Sequence, residues 1–228
     1  MSEVNEEVKA ICEKIKAGDL VGLMDAFRVN PELLKERPDG ETFLHLAVMH
    51  NKKEIMEFFM LRGIGVNEKN DRGEAPIHKV VSKDALDMLL SRGGDMNAQD
   101  AKGRTFIHNG ALHNECALVD YLALKGANLN VKTAKGITPL MQAVAGGHLK
   151  MIEILIAMGA DVNAQDADGD TALHTAVLYE NPEVVKMLAL HDAKMNVKDS
   201  DDMTPLAEAQ AKNLMHIARL LMQFGAKE

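Results

Sequence analysis

The chain has 228 residues, 46% of them hydrophobic and 26% charged, close to globular averages and against wholesale disorder. Its formal net charge of −8 removes the basic footprint that phosphate contacts require, so no nucleic-acid partner is expected. The N-terminal MSEVNEEVKAICEK has neither a basic n-region nor an apolar h-region, and no apolar run approaches the ~18 residues of a membrane span, so neither a secretory signal nor a membrane partner is expected.

Two cysteines, Cys12 and Cys116, stand far apart and fit reduced thiols in a cytoplasmic protein better than a disulfide scaffold. With 4% aromatics, no tryptophan and fifteen methionines, core volume must come from aliphatic side chains and methionine. The methionines read as gap-filling core in preference to an adhesive groove.

Taken along the chain, Glu6–Ala17 and Leu20–Val29 are predicted to form a helix pair with a turn at Gly18-Asp19. Asn30, twelve residues after Gly18, is expected to take the left-handed conformation that ends the second helix. From there a repeat governs the chain. Glycines fall at Gly40, Gly73, Gly103, Gly136 and Gly169, spaced by 33, 30, 33 and 33 residues, and Asp202 takes the next place. Histidine follows five residues later at His45, His78, His108 and His174, whereas Met141 and Ala207 fill the other two places. Asn67, Asn97, Asn130, Asn163 and Asn196 repeat in step and are expected to brace the turns.

The units read DGETFLHLAV, RGEAPIHKVV, KGRTFIHNGA, KGITPLMQAV, DGDTALHTAV and DDMTPLAEAQ. In TPL, threonine can cap a helix and proline suits its first turn, where a missing N–H costs nothing. Leu140, Val144, Ile152, Leu155 and Ile156 follow at helical spacing, broken by Gly147-His148 and ended at Gly159. Each unit is therefore a short helix, a turn and a second helix, and neither helix buries its apolar stripe without a neighbour.

This pattern resembles the ankyrin repeat, whose 33-residue period and T-P-L-H-x-A signature it carries over roughly residues 37–228. The resemblance implies an all-α solenoid of paired antiparallel helices joined by β-hairpin-like turns. About seven units are expected in a single domain over 1–228, with capping helices at 1–36 and repeats at 37–69, 70–99, 100–132, 133–165, 166–198 and 199–228.

Two departures stand out. The second unit is three residues short, with VVSKDALD in place of the glycine turn, so its inner helix must be shortened or its turn tightened. That shortening reads either as drift in one repeat or as a kink that shapes a binding surface or loosens the N-terminal half. Asp192 stands where the other units end their second helix in glycine, which is expected to weaken unit five locally.

Several groups invite a chemical reading. Asp170, Thr171 and His174, read alone, could be a hydrolase fragment or half a metal site. A residue at one fixed place in many repeats serves the repeat, however, and the family resemblance implies that this histidine bonds within and between the turns. His113 and Cys116, three apart, could share a helical face, but the further ligands that a structural zinc site needs are lacking nearby. Asp166, Asp168 and Asp170 resemble the start of a calcium loop, yet Val177 stands where its closing glutamate should be. No Walker loop, nucleophile elbow or dinucleotide fingerprint is present. No catalytic residue, cofactor or metal is expected.

Ankyrin proteins are overwhelmingly protein-binding modules, and the resemblance implies which positions contact a partner. They flank the landmark glycine and end the first helix. In units three and four they hold Lys102, Arg104, Leu112, His113, Lys135 and Ile137. In units five and six they hold Asp168, Asp170, Leu178, Tyr179, Asp201 and Met203, and unit one offers Asp39, Glu41, Met49 and His50. The tips thus read as basic in the middle and acidic towards the C-terminus, with apolar groups between. The expected function is binding of another protein through a concave face, or, alternatively, inhibition of a partner enzyme by occlusion of its active site. A monomer is expected, although the apolar final helix leaves room for self-association.

Overall fold

A computed structural model describes residues 3–227. Among the described residues the chain is helical, with short 3-10 turns and no strand. It falls into two compact units, Met1–Phe106 and Ile107–Glu228, the division lying inside the inner helix of the third repeat.

The first unit opens with α1 (Glu3–Ala17) and α2 (Leu20–Val29). The side chain of Asp19 accepts the Gly22 N–H at 2.8 Å and caps α2. Asn30 is not left-handed, contrary to expectation: its φ of −134° leads straight into a 3-10 turn at Pro31–Lys35. The proline fixes the direction of exit, so no left-handed residue is needed. Next come α3 (Phe43–Met49) and α4 (Lys53–Leu61), then a 3-10 turn at Pro76–Lys79 and α5 (Lys83–Ser91). That turn is the whole inner helix of the short repeat. The deleted residues remove a turn of helix, and Val80 runs extended into Ser82, whose hydroxyl caps α5.

The second unit holds α6 (Phe106–Leu112), α7 (Cys116–Leu124), α8 (Pro139–Ala145), α9 (Leu149–Ala157), α10 (Ala172–Leu178), α11 (Pro182–Leu190), α12 (Pro205–Ala211) and α13 (Met215–Gln223). The inner helices α8, α10 and α12 each begin on a threonine cap at Thr138, Thr171 and Thr204. Each of these three pairs with the outer helix after it, α8 with α9, α10 with α11 and α12 with α13, and α10 also packs on α8 and α12.

Each unit has its own core. In the first, Phe27, Phe43, Phe58 and Phe59 meet with ring centroids 5.4–6.1 Å apart. Four of the chain's six phenylalanines stand there. The second core is aliphatic, including Leu140, Val144, Ile152, Leu155, Leu173, Val177, Val185, Leu188 and Leu221. Methionine divides its duties. Met56, Met141, Met151 and Met195 are buried as core, whereas Met24, Met49, Met158, Met215 and Met222 face solvent.

The turns follow one scheme. From the second landmark on, the residue three before it accepts the N–H groups two and four positions on, as Asn70, Asp100, Thr133, Asp166 and Asp199 all do. Two backbone bonds close each of these loops, for example from the Asp166 N–H to the Asp170 carbonyl at 2.9 Å and from the Gly169 N–H to the Asp166 carbonyl at 3.3 Å. The tips are thus hairpin-like in path, though among the described residues they build no strand ladder. Asparagines tie each turn to the next: Asn163 donates to the Asp192 carbonyl at 3.1 Å and accepts the Lys194 N–H at 2.7 Å.

Candidate functional site

The repeat histidines form buried braces. Thr42 Oγ1 lies 2.7 Å from His45 Nδ1, and His45 Nε2 lies 2.9 Å from the Glu74 carbonyl of the next turn. A carbonyl only accepts, so Nε2 carries the proton and Nδ1 receives the threonine hydroxyl's. The arrangement recurs from His78 to the Arg104 carbonyl at 3.1 Å, from His108 to Ile137 at 3.1 Å and from His174 to Met203 at 3.3 Å. Burial holds His45 below the ordinary imidazole pKa, so it stays neutral.

His174 shows what this does to the metal reading. Asp170, His174 and Asp199 present ligand atoms within 4.8 Å of one another. Yet Nδ1 of His174 already faces the Thr171 hydroxyl at 2.9 Å and N–H at 3.2 Å, and Nε2 faces Met203. An ion there would have to break the brace between two turns. His148 does related work from the other side, its Nε2 2.9 Å from the Leu112 carbonyl.

The expected contact residues divide in two. Lys102, Leu112, His113, Lys135, Asp168, Leu178, Tyr179 and Asp201 are exposed, and Ile137, Asp170 and Met203 are half-buried. The apolar members are well out in solvent: Leu112 is 38% exposed, Leu178 51% and Tyr179 57%. Arg104 is less available than its position suggests. Its Nε and Nη2 hold Asp100 Oδ2 at 2.8 and 2.7 Å, so the guanidinium serves its own turn.

Glu41 is buried at 6% exposure, not free at a tip. Asn70 donates to both Glu41 (2.8 Å) and Glu74 (2.9 Å), and the Lys79 ammonium lies 3.4 Å from Glu41 and 2.6 Å from Glu74. Burial alone would push the Glu74 carboxyl up; bonds from Lys79 and Asn70 outweigh it and hold the pKa below the ordinary value. This network was not anticipated from the repeat pattern. Its signal is faint: acids just after two consecutive landmarks, with a lysine six residues past the second.

Asp170 stands in the same register as Glu41 and has the opposite environment. Its carboxyl pKa rises from 3.8 to about 6, chiefly through burial, with Asp166, Glu208 and Asp199 adding like charge and His174 opposing them. Where the first pair of repeats offers Asn70 and Lys79, the last pair offers Asp199 and Glu208. Lys212 reaches Glu208 at 3.0 Å.

Period, caps, buried braces and turn ties coincide along both units, and the sequence matches the family described as Ankyrin repeats (3 copies) at residues 9–100, 77–166, 107–199 and 160–228. The chain belongs to the ankyrin-repeat family. Among curated proteins this ankyrin chain is 31% identical over 105 residues to NF-kappa-B inhibitor alpha of Gallus gallus, covering 39% of the chain and 33% of that protein. It is 27% identical over 110 residues to diacylglycerol kinase iota of Homo sapiens (46% and 10%) and 33% identical over 96 residues to E3 ubiquitin-protein ligase KEG of Arabidopsis thaliana (41% and 6%). The chain thus spans a third or less of these relatives. Among the described residues no helix is long and apolar enough to cross a membrane.

Proposed function

We propose that this ankyrin chain is a non-catalytic module that binds another protein through its hairpin tips and the ends of its inner helices. Ankyrin repeats are protein–protein interaction modules. The observation that carries the reading is the exposure of Leu178 and Tyr179 at positions without a duty in the repeat, in one unit with the charged tips Lys135, Asp168 and Asp201. Large apolar side chains ringed by charge suit an interface that excludes water around a few anchors. The buried histidines are engaged with carbonyls, which favours a binding role over a catalytic one. Leu178→Ala with Tyr179→Ala is expected to raise the Kd for a partner captured from native lysate at least tenfold, and an unchanged Kd rejects this surface.

A second reading has support in one relative, whose name describes it as an inhibitor. In that reading the bound partner is an enzyme and the chain covers its active site. Assaying the captured enzyme within the complex decides: full activity rejects inhibition. A monomeric state and a cytoplasmic location belong to the same proposal. Sedimentation of the purified chain tests the first, since Met215 and Met222 on α13 are 48% and 43% exposed. Fractionation of cells tests the second.

A further inference from the structure

The tips of the last two repeats present a charge arrangement that the first two repeats resolve internally. Four positions define it: one past a landmark, then three before, one past and six past the next landmark. In the first two repeats these hold Glu41, Asn70, Glu74 and Lys79, and the lysine closes on both carboxylates. In the last two they hold Asp170, Asp199, Met203 and Glu208. Three carboxylates stand there, and the cation position itself carries one of them. Asp199 spends one oxygen on the N–H groups of Asp201 and Met203. Glu208 is met by Lys212, whereas Asp170 has only the braced His174 as a group of opposing sign and, among the described residues, forms no ion pair with a lysine or arginine. Asp166 adds a further like charge, the tip residues Asp168 and Asp201 carry the same sign, and Lys198 in the last turn is paired with Asp202 at 3.3 Å.

The same repeats carry the exposed apolar pair. Asp170 lies two residues before α10 and Leu178 is its last residue, so the seven-residue helix separates them by ~10 Å at 1.5 Å per residue. That distance is within the reach of one short peptide segment, whose residues span ~3.3 Å each when extended.

We propose that this surface docks a basic partner segment bearing an aliphatic or aromatic side chain, with a partner lysine or arginine beside Asp170 and Glu208 as Lys79 stands beside Glu41. The apolar side chain then covers Leu178 and Tyr179. The inference rests on the protein-binding reading above and adds the chemistry of the partner. Its warrant is charge complementarity: like charges gathered at a half-buried carboxyl disfavour the free surface, and an incoming cation relieves them. An acidic segment is repelled by Asp168 and Asp201, and a neutral one gains nothing from the carboxylates.

The test selects a random twelve-residue peptide display library against the full chain. The best peptide is then synthesised, and its Kd is measured against the wild type and three double variants. Enriched peptides are expected to carry Lys or Arg within about four residues of Leu, Ile, Phe or Tyr. Asp170→Asn with Glu208→Gln should raise the Kd at least tenfold, as should Leu178→Ala with Tyr179→Ala. Glu32→Gln with Glu36→Gln, which removes two exposed acids of the first unit, should change it less than twofold. Far-ultraviolet circular dichroism and a thermal melt confirm that each variant is folded. Absence of enrichment, enrichment of acidic or neutral peptides, or a Kd within twofold of wild type for the Asp170/Glu208 variant overturns the inference. If the Leu178/Tyr179 variant alone weakens binding, the protein-binding surface stands and the basic partner falls. If neither weakens it, both fall.

Discussion

Removing the imidazole of His45 leaves the Glu74 carbonyl without its donor at a site closed to solvent. A lost buried hydrogen bond and the cavity left behind together cost about 2–4 kcal/mol. We expect His45→Ala to lower the urea midpoint accordingly, and a loss under 0.5 kcal/mol would show that the brace is dispensable. The imidazole is neutral in the fold, so its contribution is complete above its ordinary pKa of 6.5 and declines as pH falls below it. Asp170 acts in the opposite sense. Its folded pKa of about 6 lies above the ordinary 3.8, so its ionisation weakens the fold above pH 6 and protonation relieves this between pH 6 and 3.8. Asp170→Asn is expected to stabilise the chain at pH 7 by about 1 kcal/mol, after discounting the shift for solvent screening, and to leave stability unchanged near pH 4. Urea titrations at both pH values check this, and equal effects at both would reject it.

At the scale of elements, left-handed residues mark where each repeat turns. Gly147 has φ of 65° between α8 and α9, and Asn51, Asn114, Glu180 and Asn213 take its place elsewhere, all with φ between 52° and 59°. Glu180 has neither glycine's freedom nor asparagine's tolerance, and Asp192 sits at φ 61° where other repeats use glycine. Glu180→Gly and Asp192→Gly should each stabilise by about 0.5–1 kcal/mol, the left-handed strain relieved less glycine's entropy, read as higher thermal midpoints. A fall in both midpoints would mean that side-chain contacts outweigh backbone strain. The shortened repeat is the other informative element. Pro76–Lys79 is one 3-10 turn where α3 and α8 have seven residues, so few of its amides have helical partners. Its amides are expected to exchange with deuterium faster than those of α3 and α8; equal protection would show that packing replaces the missing helix bonds.

At the scale of the whole molecule, the two units respond differently to acid. Glu74 and Asp100 in the first have carboxyls held below their ordinary pKa values by Lys79, Asn70 and the Arg104 turn. Their stabilisation is present above the ordinary values of 4.5 and 3.8 and is lost as pH falls through the folded ones. Asp170 moves the second unit the other way. Acidification from pH 7 to 4 is therefore expected to protect α10–α13 relative to α3–α5 in hydrogen exchange corrected for intrinsic rates. A uniform loss would show that these carboxyls do not govern the profile.

The period of 33 residues was enough to place the helix pairs and the threonine caps, because each is a local motif repeated until chance is excluded, while the bracing role of the histidines came from the resemblance to the ankyrin family. Asn30 escaped the same logic: a proline follows it, and that local constraint overrode the register. Arg104 and Glu41 escaped it for a different reason. Both occupy tip positions by sequence, but whether a tip side chain is free depends on what its own turn or the next one sets beside it. Glu41 finds Asn70 and Lys79, some thirty residues on, whereas Asp170 in the same register finds Asp199 and Glu208. The sequence by itself determined the repeat and the residues that hold it. Only the tertiary structure decided which charged tips are spent inside and which are left exposed, because burial and Coulomb energy depend on distances that stacking creates.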